Sequence, residues 1–402
     1  MSELYALPEG WEWKKITDIA SISNKTVNID DDHLYNCVGL ENIESNTGKL
    51  VDFTPMSGNE IKSSKVVFEK DMVLYGKLRP YLNKVWKAEF DGVATTEIIP
   101  FKPDSNILEA SYLAHFLMTD YFIANAMNNI SGARMPRITT KYLKNEAYIP
   151  LPPLQEQKRI VAKLDSLFER IDRAIALHQQ NIDEAEGLMG SALDAVFGEL
   201  DTDLKTSLKE ITTKIGSGAT PKGGQKSYKT EGISLIRSMN VHDTGFKEKG
   251  LAFIDEEQAQ KLSNVIVEEN DILLNITGAS VARCCIVDKN YLPARVNQHV
   301  SIIRLKEGML PKFLHYYIIS PAIKSDLLFS SSGGATREAI TKTMLQNFEV
   351  PQVSMDIQQK TVQYLDALSQ KVAHLKEVQQ EKTEQLKALK ASILDRAFRG
   401  EL

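Results

Sequence analysis

From Gln155 to Phe197 the chain runs without a proline, and apolar residues return at alternating spacings of three and four: Val161, Leu164, Phe168, Ile171, Ile175, Ile182, Ala185, Met189, Ala192 and Val196, with His178 in the same frame. Such a seam predicts one long coiled-coil helix. The preceding "IPLPPLQEQ" predicts an extended segment with Pro153 in the first turn, where a missing N–H costs nothing. Gly198 predicts the stop. A second stripe, Leu365, Leu368, Val372, Leu375, Leu386, Leu389 and Ile393, begins after Asp356 and closes near Gly400. Each helix is the simplest partner for the other.

The two stripes belong to a duplication. One ungapped register aligns Pro150 with Pro351, Leu164-Asp165 with Leu365-Asp366, Ser191 with Ser392, Leu193-Asp194 with Leu394-Asp395 and Phe197 with Phe398. Fainter echoes lie upstream: "VVFEKDMVLY" (66–75) with "VIVEENDILLN" (265–275), "EIIPFK" (97–102) with "SIIRLK" (301–306), and "SGARMPRIT" (131–139) with "SGGATREAIT" (332–341). A repeat of this kind sets the whole architecture. The expected fold is α+β: two mixed α/β domains, 1–149 and 201–350, separated by two long antiparallel coiled-coil helices, 150–200 and 351–402, related by an internal pseudo-two-fold axis. His178 with Gln379, and Asn181 with Lys382, put polar residues at matching points of the seams, a layer expected to set register.

Each α/β domain mixes short apolar strands with one helical stretch, "LEASYLAHFLMTDYFIANAMNN" or "LPKFLHYYIISPAIKSDLLF". Between the matched strands lie polar segments that differ: "YGKLRPYLNK" against "NITGASVAR", and "GVATTE" against "RVNQHVS". Similar scaffolds carrying different loops point to two modules that read different things, since binding commonly resides on loops held by a rigid frame.

Composition changes little. No stretch approaches the apolar length a bilayer needs, and the polar start is no signal peptide, so a cytoplasmic protein is expected. Cys37, Cys284 and Cys285 fit neither a disulfide framework nor a metal site, and read as reduced and structural. A net charge of −5 argues against a generally basic nucleic-acid coat. Neither α/β domain is strongly basic, so phosphate neutralisation would have to come from partner subunits.

Catalytic signatures are missing: the sequence has no G-x-x-x-x-G-K-[ST], no G-x-G-x-x-G after a strand, no H-E-x-x-H and no G-x-S-x-G. The sole Pro-Pro pair opens a helix, unlike the N/D-P-P-Y/F tetrad of adenine methyltransferases. "GSGATPKGG" (216–224) lacks the Lys-Ser/Thr pair of a phosphate loop and reads as a flexible loop. The divergent segments carry the residue types of base-edge reading. Lys77, Arg79, Arg134 and Arg137 are donors for guanine or phosphate; Asn275, Asn297 and Gln298 suit adenine; Glu97 suits cytosine N4. The candidate set also includes Tyr81, Asn83, Lys84, Thr95, Thr277, Ser280, Arg283, His299, Thr336 and Arg337. Taken singly each is also an ordinary surface charge or turn former, and Tyr81 and Trp86 read as core more than as stacking platforms.

"LPEGWEWKKITDIA", "LYGKLRPYLNKV", "IPLPPLQEQKRIVAKLDSL", "DILLNITGASVAR", "VNQHVSIIRL" and the closing "ILDRAFRGEL" together resemble the specificity subunit of type I restriction-modification systems, along the whole chain. The second helix opening, "VPQVSMDIQQKTV", departs by lacking Pro-Pro-Leu. The resemblance implies a non-catalytic subunit whose two target-recognition domains each read one half of an asymmetric bipartite site in double-stranded DNA. It implies helices that act as a ruler for the unread spacer and dock two modification subunits, and restriction subunits that can join. S-adenosylmethionine, ATP and Mg are then expected on those partners, with no cofactor on this chain and no membrane association. A different class of reading, a coiled-coil scaffold with two protein-binding domains, would respond less to salt than DNA binding does.

Overall fold

The computed structural model describes residues 4–132, 134–200, 204–331 and 339–402. The chain forms two compact units, Met1–Gln179 with Gln380–Leu402, and Gln180–Gln379. The first long helix, Leu154–Gly198, starts in one unit and ends in the other, as does the second, Met355–Phe398.

In the first unit, β1 (Glu12–Lys15) pairs antiparallel with Tyr148–Leu151, the strand just ahead of the long helix. The central sheet runs Ala20–Ile22, Ile98–Pro103, Val73–Gly76, Val85–Lys87, all antiparallel. Val73–Gly76 is β2 and Ile98–Pro103 is β3. All four residues of β2 are buried, as expected for a strand covered on both faces. Alternation sorts them. Val73 and Tyr75 join Phe101, Tyr112, Phe116 and Phe122 beneath α1 (Ala110–Leu117) and α2 (Asp120–Asn128). Leu74 joins Val38, Phe68, Trp86 and Ile98 beneath a second four-stranded sheet.

The second unit repeats this plan. Strand β4 (Lys205–Ser207) pairs with Glu349–Pro351 ahead of the second long helix. Strands β5 (Ile272–Asn275) and β6 (Val300–Leu305) are antiparallel neighbours in the central sheet. Ile272, Leu274 and Ile303 face Phe313, Leu314 and Tyr317 on α3 (Pro311–Ile319), which is followed by α4 (Pro321–Ser331). Leu273, Val300 and Ile302 face Leu235 and Val296 of the other sheet. Each expected single helical stretch is in fact a broken pair. Thr119 interrupts the first by capping α2, its hydroxyl accepting from the Phe122 N–H, and Pro321 interrupts the second because it has no N–H to continue the ladder.

A buried glutamine locks each helix start to its module. Gln157 Oε1 accepts from the Glu109 N–H at 2.9 Å while Nε2 donates to the Ile107 and Pro152 carbonyls. Gln358 repeats this with Leu310, Gly308 and Val353. These two side chains are 0% and 1% exposed, so an unmatched substitute would strand buried backbone groups. Matching aspartates add outer ties: Asp165 to His115, and Asp366 to Tyr316 and Lys312.

The far end of each long helix docks on the other module. In the first unit Phe398 packs on Tyr112 and Phe116 at centroid distances of 4.8 and 5.3 Å. In the second, Phe197 packs on Phe313 and Tyr317 at 5.5 and 5.3 Å. Three residues earlier, Asp194 accepts from the Ala322 N–H at the start of α4, and Asp395 accepts from Asp120 and Tyr121 at the start of α2. Anionic caps suit these N-termini. Burial nevertheless pushes the Asp395 carboxyl above its ordinary range.

The long helices run antiparallel within each unit. Arg159 and Asp172 meet Leu402 and Lys390 in the first; Asn181 and Glu186 meet Gln379 and Lys376 in the second. Three details differ from the seam expectation. Ile160, not Val161, is the deeply buried residue of the first turns, because this segment packs on the module core. Leu375 and Leu389 are 40% and 48% exposed, outside the buried stripe. His178 and Gln379 are half-buried while Asn181 and Lys382 are exposed, so the four polar positions form no fully buried layer, although the Asn181 amide meets Gln379. Pro153 lies just before the first turn, its carbonyl accepting from Glu156 and Gln157.

Among the described residues, no helix is long and apolar enough to cross a membrane, and no cluster of His, Cys, Asp and Glu has the makings of a metal site. All three cysteines are buried free thiols.

All three tryptophans (Trp11, Trp13, Trp86) lie in the first unit, so fluorescence reports on that unit alone. Phe398→Ala is expected to destabilise the first unit by about 3–5 kcal/mol and shift the tryptophan-detected urea transition. Phe197→Ala should shift the far-UV circular dichroism transition and leave the tryptophan signal in place.

Candidate nucleic-acid interface

The three divergent segments of the first module converge on one backbone node. The Lys77 N–H donates to the Glu97 carbonyl at 2.9 Å, the Ile138 N–H to the Lys77 carbonyl at 3.0 Å, and the Arg79 N–H to the Pro136 carbonyl at 2.7 Å. Arg79 sits at φ +52° and Asn83 at φ +49°, bracketing the turn Pro80–Leu82. Left-handed backbone is unusual for arginine and persists where neighbours hold it, here the bond from the Arg79 N–H to Pro136, whereas asparagine adopts it more readily and the Asn83 N–H bonds the Pro80 carbonyl. The turn leaves Arg79 and Tyr81 exposed, with Lys77 half-buried. Tyr81 is therefore not core, unlike Trp86, which is.

Beside the node, Arg137 Nε and Nη2 grip Glu97 at 3.1 and 3.2 Å, a two-pronged pair that fixes both side chains. Thr95 and Glu97 line a groove of about 350 Å³ together with Cys37, Glu41, Glu60, Lys62 and Lys65. Arg134 is exposed on the adjoining loop. Two candidates are spent on the frame. Asn83 is 4% exposed and donates to the Met118 carbonyl and to Asn46 Oδ1, and Lys84 donates to the Leu40 and Ile43 carbonyls.

The second module builds the same node from different residues. The Ile276 N–H donates to the His299 carbonyl at 2.9 Å and the Ile340 N–H to the Ile276 carbonyl at 2.8 Å. His299 therefore occupies the place of Glu97. A hydrogen-bonded row crosses the node: Thr220 Oγ1 to Gln298 Oε1 at 2.5 Å, Gln298 Nε2 to His299 Nε2 at 3.0 Å, and His299 Nδ1 to Thr277 Oγ1 at 2.6 Å. Asn275, wholly buried, donates to the Ser238 carbonyl and to Ser280 Oγ. Asn297, 4% exposed, accepts from the His299 N–H. The backbone of Arg283 closes the turn through Ser280 and Asn275, leaving its side chain half-buried. Thr336 and Arg337 lie outside the described residues.

A family model described as the type I restriction modification DNA specificity domain matches residues 8–186 and again 204–385. The chain belongs to this family. The specificity-domain match recurs once per unit, in step with the duplicated node. Among curated relatives, the chain is 29% identical to the Type I restriction enzyme EcoDI specificity subunit of Escherichia coli over 236 residues, 56% of this chain and 52% of that subunit. It thus spans about half the length of that relative. Among solved structures, one described as the structural basis underlying complex assembly and conformational transition of the type I R-M system matches at TM-score 0.78 and 27% identity, covering 99% of this chain and all of that one. The HsdS subunit from Thermoanaerobacter tengcongensis matches at TM-score 0.53 and 26% identity, covering 99% of both chains.

Thr220 and four groove residues escaped the sequence reading. Thr220 lies in the glycine-rich stretch taken for a flexible loop, and its proximity to Gln298 is legible only in three dimensions. The groove residues Glu41, Glu60, Lys62 and Lys65 come from segments without a repeat echo or motif. Asn83→Ala, which removes a buried donor, is expected to cost about 1–3 kcal/mol in the tryptophan-detected transition. Exposed Arg79→Ala should stay within about 0.5 kcal/mol of the parent.

Proposed function

We propose that this specificity-family chain is the sequence-specific DNA-binding subunit of a type I restriction-modification enzyme and recognises an asymmetric, bipartite target. The module within 1–149 reads one half-site through Lys77, Arg79, Tyr81, Arg134 and the Glu97–Arg137 pair. The module within 201–350 reads the other through the Thr277, Gln298, His299 and Arg283 surface, with Thr336 and Arg337 on the third segment. The helical segments 150–200 and 351–402 set the unread spacing and dock two modification subunits, and restriction subunits join that complex. Supporting the reading above all else is a single observation: one backbone node, built twice under two matches to a DNA specificity domain, carries different polar side chains each time.

The chain itself is non-catalytic. It positions DNA, while methyl transfer to adenine belongs to modification subunits that carry S-adenosylmethionine, and ATP and Mg serve the restriction subunits. The balance of charge agrees with this division. A chain of net charge −5 supplies little phosphate neutralisation, so affinity rests on partners that close around the duplex while the loops discriminate bases. The work is cytoplasmic, where the DNA is.

Deleting the gene from its source cell should remove one split N6-methyladenine motif from a genome-wide map, and an unchanged map would reject the reading. Within the complex, Arg79→Ala is expected to relax one position of one half-site, at about 1–3 kcal/mol of discrimination, with the other half and the spacer intact. Inserting one turn of four residues in each long helix adds about 6 Å, so the spacer should lengthen by about two base pairs. A spacer of unaltered length would refute the ruler.

A further inference from the structure

The stretch "GSGATPKGG" is not the loose loop its composition suggests. Gly218 passes so close to the neighbouring strand that a Cβ there would lie 1.8 Å from the Val296 carbonyl oxygen, and its N–H donates to the Asn297 carbonyl at 3.1 Å. This pins Thr220 beside Gln298, to which its hydroxyl donates. On the other side Gln298 Nε2 lies 3.0 Å from His299 Nε2, and His299 Nδ1 lies 2.6 Å from Thr277 Oγ1. The Gln298 amide is thus held at both ends, its oxygen toward Thr220 and its nitrogen toward His299.

An amide has two lone pairs and two N–H groups. One of each is engaged, so one acceptor and one donor remain on a side chain that is exposed. That pair of groups matches the N6 donor and N7 acceptor of adenine in the major groove. The two asparagines singled out beside it for adenine are out of reach: Asn275 and Asn297 are buried, the first with its amide nitrogen bonded to the frame and the second with its amide oxygen bonded to the His299 N–H. Lys222 on the same loop is exposed and available to a phosphate. Orienting partners matter here because a free amide can rotate and offer its groups in reverse order, which a different base would accept.

We propose that Gln298 reads an adenine in the half-site of the second module, with Thr220 and His299 as the positioning residues that orient its amide. This rests on the DNA-reading role proposed above. The test uses the chain in complex with its modification subunits and a library of duplexes randomised across that half-site, with the bound fraction sequenced. The parent complex should select adenine at one position, and Gln298→Ala should lower that preference about 10- to 100-fold at that position alone. Thr220→Val should erode the same position and Thr220→Ser retain it, a pattern that loss of stability would not produce. Gln298→Glu, an acceptor in place of a donor, should move the preference toward cytosine, a gain that an unfolded variant cannot show. Unchanged preferences in Gln298→Ala, or relaxation at a position that is not adenine, would overturn the assignment. A parent complex that selects no split motif would instead defeat the DNA-reading role itself.

Discussion

The architecture depends on a reciprocal docking: each long helix starts from its own module and ends on the other's helices. Phe398 and Asp395 close the first unit, and Phe197 and Asp194 close the second. The phenylalanine supplies apolar burial and the aspartate satisfies N–H groups that a helix start leaves without partners. At the opposite end, Gln157 and Gln358 tie the helix start to carbonyl and amide groups of the module. A helix of 45 residues is thereby held at both ends, with Ile171, Ile182 and Ala185 of its seam buried between.

On this frame the node is conservative and its side chains are not. Backbone hydrogen bonds join the same three segments in both units, so the scaffold does not depend on which side chains project. One module then presents an ion pair, Glu97–Arg137, and the other a row of neutral groups from Thr220 to Thr277. In each, these side chains are held by their neighbours, whereas Arg79, Tyr81 and Arg134 of the first module project exposed. Several polar residues of the same loops serve the frame instead: the Asn83 and Asn275 amide nitrogens, the Lys84 ammonium and the Asn297 amide oxygen bond neighbouring groups of the turns, while the Asn83 and Asn275 side-chain oxygens stay buried without a hydrogen bond.

What the sequence by itself determined is everything that period and repetition encode. Two long helices, two α/β modules and the strands at 66–75 and 265–275 follow from spacing, since a helix seam and a buried strand are local patterns that a register shift copies intact, while the family came from the resemblance of particular motif stretches. The break at Thr119 and the burial of Ile160 against the module core were not legible, because a cap and a core contact depend on what lies across from them. The tertiary structure alone decided which helix end meets which module, which polar loop residues are consumed by the frame, and that Thr220 stands against Gln298. Those are contacts between segments far apart in the chain, selected by shape and by the need to pair buried polar groups, and no local pattern of residues records them.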